Sequence, residues 1–312
     1  MSQKRLVTGL QPSGALHIGN YFGALKPFVD TYEEYDSHLM VANYHSLTTL
    51  KNSDLLRRNT IDVVKDYLAA GVDPKKAVIF KQSDVPEHTE LAWIFECLIP
   101  VKYLELAHAY KDKVAKGLEA NAGLFNYPML MAADILLYDT DIVPVGRDQQ
   151  QHVEYAREAA KKFNVAYGDL FKEPTEKIVA GVGTVPGTDG QKMSKSYKNT
   201  IPLFGTKEEV QKAVMGIVTD STGDRPENVY AIHKLLRSED ELEKIYEENK
   251  GKYKNLKEAL LSDVEALVGP MREKRESITD EMVAEVLKAG GEAARAEAAT
   301  KMVQVRQKIG II

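Results

Sequence analysis

Gly9-Leu10-Gln11-Pro12-Ser13-Gly14-Ala15-Leu16-His17-Ile18-Gly19-Asn20 decides the reading of the chain, because of what stands on either side of it. Before it runs a short apolar stretch, Arg5–Thr8, that reads as a strand; after it, Asn20–Tyr35 has helical periodicity. A strand that turns through glycines into a helix start offers backbone N–H groups to an anion such as a triphosphate. The glycines permit close approach of the backbone. The spelling is neither G-x-G-x-x-G nor G-x-x-x-x-G-K-S/T, so the dinucleotide fingerprint and the P-loop are not supported. His17 reads either as a donor to a phosphate oxygen whose charge grows as a bond breaks, or as a side chain that satisfies the loop backbone.

The same alternation continues outward. Candidate strands His38–Asn43, Ala77–Lys81 and Ile142–Val145 are separated by helical stretches Ser53–Ala70, Glu87–Leu98, Tyr127–Tyr138 and Asp148–Phe163, with Ser53 placed to cap. This pattern predicts crossover units on a parallel sheet, an α/β domain. From Glu173 to Pro202 periodicity fails and Gly, Pro, Thr and Lys accumulate, which marks a long functional loop. Beyond it Thr206–Ile217, Val229–Leu236, Glu239–Asn249, Leu256–Val268 and Asp280–Lys308 all read as helix. The expected division is an α/β unit over 1–202 and an all-helical unit over 203–312, its final helix able to pack back on the first.

Composition narrows the classes. With 312 residues, 44% hydrophobic and 28% charged, the chain can bury one large or two modest cores, and low-complexity and collagen-like proteins are excluded. The net charge of −5 means that any RNA contact must come from a local basic patch. Cys97 is the one cysteine and cannot form an internal disulfide, and with seven histidines no Cys/His cluster has metal-ligand spacing. A reducing, cytoplasmic setting is expected, with no zinc or iron–sulfur cluster. No apolar run approaches the roughly 18 residues of a membrane span.

Three further stretches carry chemistry. Lys192-Met193-Ser194-Lys195-Ser196 puts two ammonium groups and two hydroxyls at the end of the long loop, and lysine suits a departing pyrophosphate as a mobile point charge. Tyr127, Met131, Asp134 and Tyr138, spaced 4, 3 and 4, share one helical face that is apolar apart from one carboxylate. A carboxylate so placed needs a donor, from a ligand or from the protein itself. His45 and the run Gly146-Arg147-Asp148-Gln149 each follow a candidate strand, where an open α/β sheet presents ligand-binding groups. Asp148 can accept from ribose hydroxyls or cap a helix, and Gln149 can both donate and accept.

His17-Ile18-Gly19-Asn20 resembles the HIGH element, and Lys192 to Ser196 the KMSKS element, of class I aminoacyl-tRNA synthetases. Through Gly19-Asn20-Tyr21-Phe22-Gly23-Ala24-Leu25, Tyr127 to Tyr138, and Val143-Pro144-Val145-Gly146-Arg147-Asp148-Gln149-Gln150-Gln151-His152, the chain is similar to bacterial-type tryptophanyl-tRNA synthetases over nearly its whole length. The resemblance implies a Rossmann-like catalytic domain, a C-terminal helical domain that reads the anticodon, and a homodimer bridged by tRNA(Trp). It implies catalytic roles for His17, Asn20, Lys113, Lys192 and Lys195. It places Gln11, Pro12, Ser13, Gly19, Asn20, Gly146, Arg147 and Asp148, with Lys192, Met193, Ser194, Lys195 and Ser196, around ATP, which brings Mg2+. It places Gly9, His45, Tyr127, Met131, Asp134 and Gln149 around tryptophan, with Asp134 on the indole N–H. The loop before the KMSKS element, Val185 to Gln191, has its own spelling and carries no transferred adenine contacts. The related tyrosine enzymes are the alternative, but a phenol both donates and accepts whereas this helix face offers one acceptor. A cofactor adenylyltransferase stands further off because of the helical C-terminal third and the full KMSKS pentapeptide, and a non-catalytic paralogue because His17, Lys192, Lys195, Asp134 and Gln149 are all intact.

Overall fold

The computed structural model describes residues 3–117, 119–146, 150–178, 185–219 and 225–312. Among them five parallel strands, β1 (Arg5–Leu10), β2 (Asp36–Val41), β3 (Ala77–Lys81), β4 (Ile142–Val145) and β5 (Thr175–Ile178), form one sheet in the order β3-β2-β1-β4-β5. The order reverses between β1 and β4, so the carboxyl ends of these two strands flank the crevice where doubly wound sheets bind ligands. Gly9–Asn20 and Gly146 sit at those two ends.

Side chains alternate across the sheet. Leu6, Leu39, Val41 and Ile79 enter one core; Val7, Met40, Phe80 and Val143 enter the other. The first core is closed by α1 (Ile18–Asn20), α2 (Lys26–Val29), which follow the β1 loop, and α4 (Ser53–Ala70), which follows the short α3 (Asn43–Ser46). The second is closed by α5 (Glu87–Glu96), α6 (Val101–Leu104), α8 (Ala122–Leu136) and α9 (Gln150–Tyr167), with α7 (His108–Ala115) packed on α8.

Beyond Pro202 the chain forms α10 (Lys207–Met215), α11 (Glu227–His233), α12 (Glu239–Glu248), α13 (Tyr253–Ser277) and α14 (Asp280–Ile309). Val210, Val214, Val229, Leu260 and Val264 belong to the same buried cluster as Leu6 and Ile18, so this part shares a core with the sheet. Helix α14 runs back along the outer strand β3. Its Gly290 lies so close to Ile79 that a Cβ there would stand 1.9 Å from the Ile79 carbonyl oxygen. Arg306 of α14 is paired with Glu90 of α5, and Glu297 with Arg5 of β1.

Several boundaries differ from the sequence reading for identifiable reasons. The helix expected over Asn20–Tyr35 is broken into α1, a π-helical turn at Tyr21–Leu25, α2, and a 3-10 turn at Tyr32–Glu34. Pro27 supplies no N–H to the carbonyl of Gly23, and the widened turn accommodates that loss. Strand β1 runs to Leu10 and β2 ends at Val41, leaving His45 on α3. Asn52, not Ser53, caps α4, its side chain accepting from the Leu55 N–H at 2.9 Å. Helix α8 begins five residues before Tyr127, capped by Asn121, and ends at Leu136; Pro128, which reads as a helix start, lies inside it. In the same way α13 continues through Pro270 to Ser277. Strand β5 falls where the sequence reads as loop, because an edge strand of four residues carrying Glu176 and Lys177 has no apolar periodicity to show.

Candidate active site

The loop after β1 is held from three sides. The Ser13 N–H donates to the Gln11 carbonyl at 2.8 Å, the Asn59 side-chain amide of α4 donates to the Pro12 carbonyl at 3.0 Å, and Gly14 adopts φ +93°, open to glycine. Gly9 lies inside β1 opposite Met40, where a Cβ would stand 2.9 Å from the Met40 carbonyl oxygen. Close strand packing by itself accounts for that glycine.

His17 and Asn20 cap α1 reciprocally. The Asn20 N–H donates to His17 Nδ1 at 3.3 Å and the His17 N–H to Asn20 Oδ1 at 3.1 Å. An accepting Nδ1 leaves the proton of a neutral imidazole on Nε2. Burial, reinforced by the nearby Lys195 ammonium, lowers the His17 pKa to about 4, so the ring is neutral near pH 7. The two roles open to His17 from sequence use different nitrogens: Nδ1 satisfies the loop, and Nε2–H is a donor for a ligand.

The long loop returns over this element. The Ile18 N–H donates to the Ile201 carbonyl and the Leu203 N–H to the Leu16 carbonyl, both at 3.0 Å. Lys195 Nζ donates to the carbonyls of Ser13 at 3.0 Å and Gly14 at 3.1 Å. Buried Met193 packs over Gly19, whose missing Cβ would be 3.3 Å from the Met193 Cβ. The hydroxyls of Ser194 and Ser196 are 2.8 Å apart, and Lys192 is exposed. Asn199 organises the turn: its amide donates to Asp189 and to the Lys192 carbonyl, and its oxygen accepts from the Ser194 N–H at 2.8 Å. Beneath Lys195 lies Asp66 of α4, 2% exposed and paired with Arg275 of α13. Burial raises the Asp66 carboxyl to about 6 despite that guanidinium.

Asp134 of α8 is 3% exposed. Gln82 Nε2 donates to both its oxygens, at 2.8 and 2.9 Å, and His45 Nε2 stands 2.8 Å from Oδ2. His88 Nδ1 approaches Oδ1 to 2.6 Å, at an angle poor for a hydrogen bond. Burial would raise this carboxyl, but the bond from His45 and the close approach of His88 hold it down at about 2, so it is ionised. The donor required by a buried carboxylate is thus supplied by protein groups as the chain stands. Tyr127 faces His45 edge-on with centroids 6.2 Å apart, and its hydroxyl is 3.0 Å from His152 Nε2; Met131 is half-buried beside them. A cavity of about 600 Å3 is lined by His45, Tyr127, Thr89 and Asn121 but does not reach Gly9, Met131 or Asp134.

Not every expected residue is gathered. Gly146 is exposed at the end of β4, while Arg147, Asp148 and Gln149 lie outside the described residues, as does the start of the helix expected from Asp148. Lys113 stands half-buried on α7 and, among the described residues, makes no hydrogen bond or ion pair with the His17–Lys195 group.

Residues 2–286 match the family described as tRNA synthetases class I (W and Y). The chain is 48% identical over 320 residues to a tryptophan–tRNA ligase of Fusobacterium nucleatum, covering 99% of this chain and 98% of that one. The chain belongs to the class I tryptophanyl-tRNA synthetases. A tryptophanyl-tRNA synthetase of Campylobacter jejuni, solved with ADP and tryptophan, is 45% identical with a TM-score of 0.91, covering 98% of this chain and 99% of that one. One from Mycoplasma pneumoniae is 31% identical with a TM-score of 0.85, covering 99% and 98%.

For a synthetase of this class, the residues missed by sequence reasoning are supports. Gln82 and His88 follow β3 as His45 follows β2, and the strand-end rule applied to β3 would have flagged them. Asn59 and Asp66 sit within α4 and Arg275 in the last turn of α13, where nothing in the sequence separates them from surface residues.

Proposed function

We propose that the chain activates L-tryptophan with ATP, forming tryptophanyl-adenylate and pyrophosphate, and then transfers tryptophan to the 3′ end of tRNA(Trp). The observation that carries this reading is the meeting of Lys195 with the Ser13 and Gly14 carbonyls beside His17, at the carboxyl end of β1. The tryptophan carboxylate attacks the α-phosphorus, the bond to the β-phosphate oxygen breaks, and the electron pair leaves with pyrophosphate. No protein nucleophile is needed, so catalysis is positioning plus stabilisation of developing charge. Lys195 leaves two backbone carbonyls for phosphate oxygens, and His17 Nε2–H adds a neutral donor. Lys192, Lys113, Asn20, Gly146, Arg147 and Asp148 complete the ATP site in this reading.

Tryptophan lies against Tyr127 and Met131 with its indole N–H on Asp134, its ammonium end near Gln149. Mg2+ enters with the triphosphate: Lys192, Lys195 and His17 are donors that suit phosphate oxygens, and the ion would be held by those oxygens and water. Residues 203–312 read the anticodon, and 1–202 carry the chemistry. A second copy of the chain is seated on the side of α5 to α7, where Trp93 is 65% exposed and Val101, Leu106 and Val114 are also open. The enzyme works in the cytoplasm with its tRNA; no helix among the described residues is long and apolar enough to cross a membrane.

The test is amino-acid-dependent exchange of labelled pyrophosphate into ATP, run separately with tryptophan and tyrosine. Exchange with tryptophan alone is expected. Exchange with tyrosine instead would keep the mechanism and overturn the pocket assignment, and no exchange with either would overturn the reading.

A further inference from the structure

Behind Asp134 lies a chain of buried groups that the reaction does not touch. His88, at the start of α5, is 0% exposed; its Nε2 is 2.9 Å from the Tyr138 hydroxyl and its Nδ1 2.6 Å from Asp134 Oδ1. The Phe80 ring stacks on the imidazole with centroids 6.2 Å apart, and the Tyr138 ring lies 5.5 Å from it, so the histidine has little freedom to turn. Burial holds the Tyr138 phenol protonated, so its O–H can donate to a His88 Nε2 that carries no proton. A ring nitrogen that accepts leaves the proton on the other one, and here that is Nδ1–H, facing Asp134. The ionised Asp134 carboxylate, 2.6 Å from Nδ1, favours the same tautomer, so the His88 proton is placed by both neighbours together.

Gln82 is oriented in the same manner. Its Oε1 accepts from the Tyr44 N–H at 3.0 Å, which turns its Nε2 to Asp134. An ionised carboxylate has about four lone-pair directions; Gln82 and His45 donate into them, and His88 Nδ1 stands 2.6 Å away without the alignment of a hydrogen bond. Of the three, Gln82 and His88 are fully buried, while His45 is 7% exposed and lines the cavity with Tyr127. His45 is the donor placed to give way to a ligand N–H, and the other two remain.

We propose that His88 is a positioning residue for amino-acid selection: held by Tyr138, it keeps Asp134 aimed at the indole N–H from the side the ligand never reaches. The inference rests on the reading that Asp134 receives that N–H.

Pyrophosphate exchange with tryptophan and with 3-benzothienylalanine, in which sulfur replaces the ring N–H, separates the possibilities. The unsubstituted enzyme is expected to favour tryptophan by more than about tenfold in kcat/KM, since a site built to meet an N–H rejects an analogue without one. His88→Leu is expected to raise KM for tryptophan by roughly tenfold, with kcat and the constants for the analogue within about threefold. His88→Asn, whose amide replaces Nδ1–H, is expected to recover most of the loss. Equal losses for both substrates, or no recovery with Asn, would make His88 merely structural and overturn the proposal. Should His88→Leu not fold, Tyr138→Phe carries the test: a change in the tryptophan-to-analogue ratio supports the proposal and an unchanged ratio overturns it. An unsubstituted enzyme that exchanges with tryptophan but does not discriminate against the analogue overturns the positioning role alone. Absence of any tryptophan-dependent exchange overturns the underlying reading.

Discussion

Lys195 Nζ donates to the carbonyl oxygen of Ser13 at 3.0 Å, across 182 residues of chain. Lys195 as a whole is exposed, but desolvation at its ammonium depresses its pKa, with Asp66 as the opposing charge. In this arrangement the lysine is bound to neutral dipoles, so transfer to a phosphate oxygen exchanges a weak partner for a charged one. The gain is largest once pyrophosphate carries its full charge.

That difference predicts the behaviour of Lys195→Ala. Removing one charge-stabilising donor costs about 10²- to 10³-fold in rate, while ATP affinity should fall by less than about tenfold because the contact strengthens only as the bond breaks. Rapid-quench measurement of adenylate formation against ATP concentration checks this. Equal losses in rate and affinity would contradict it.

His17 carries a pH signature. Its folded pKa lies near 4, below the ordinary 6.5, so the folded state prefers the neutral ring. Its contribution to stability is then full above pH 6.5 and is lost as pH falls from 6.5 toward 4. His17→Asn keeps an acceptor for the Asn20 N–H and is expected to flatten that part of the stability profile while slowing adenylate formation by about 10²-fold. An NMR titration of the His17 ring with a midpoint at or above 6.5 would refute the assignment.

Asp66 and Arg275 join α4 to α13 under the KMSKS loop. Taking away the cation leaves a buried carboxylate without its partner, and Arg275→Ala is expected to cost about 3 kcal/mol. Because the folded Asp66 carboxyl sits near 6, above its unfolded value of 3.8, its contribution is fullest below pH 3.8 and is lost as pH rises through 6. Asp66→Asn should therefore remove a stability decline between pH 4 and pH 7. Urea unfolding at pH 4.5 and 7.5 measures both effects.

Two glycines in long helices should respond oppositely to alanine. Apart from its chain neighbours nothing lies within 4 Å of a Cβ built on Gly269 in α13, so Gly269→Ala is expected to stabilise, though by less than the helix-propensity value of about 1 kcal/mol because the Cδ of Pro270 crowds a Cβ before it. At Gly290 the same gain is outweighed, because the Cβ would meet the Ile79 backbone at 1.9 Å and overpacking against a strand costs about 1–3 kcal/mol or more. Opposite shifts of the urea midpoint are the expected result.

The catalytic frame was legible where local pattern and function coincide. Ala77–Lys81, Ile142–Val145 and Ser53–Ala70 have the boundaries the pattern predicts, and Lys195 reaches the Ser13 and Gly14 carbonyls of the loop that carries His17. What escaped depends on tertiary partners. The expected helices begin at Tyr127 and end at Val268, next to Pro128 and Pro270, yet both prolines lie within helices, α8 and α13. Strand β5 has one neighbour and no apolar stripe. Asp134 announces that it needs a donor, but which donors answer depends on the ends of β2 and β3, far away in sequence.

The packing of α14 on β3 also has a bearing on synthesis. β3 is complete at Lys81, whereas the helix that covers it starts at Asp280 and touches it at Gly290. At ordinary ribosomal speeds the outer strand waits on the order of ten seconds or more before its cover emerges. During that interval the nascent sheet presents an unprotected edge, the kind of surface that recruits other strands. A chaperone that shields this edge during translation would matter more for yield than one that acts on the finished chain.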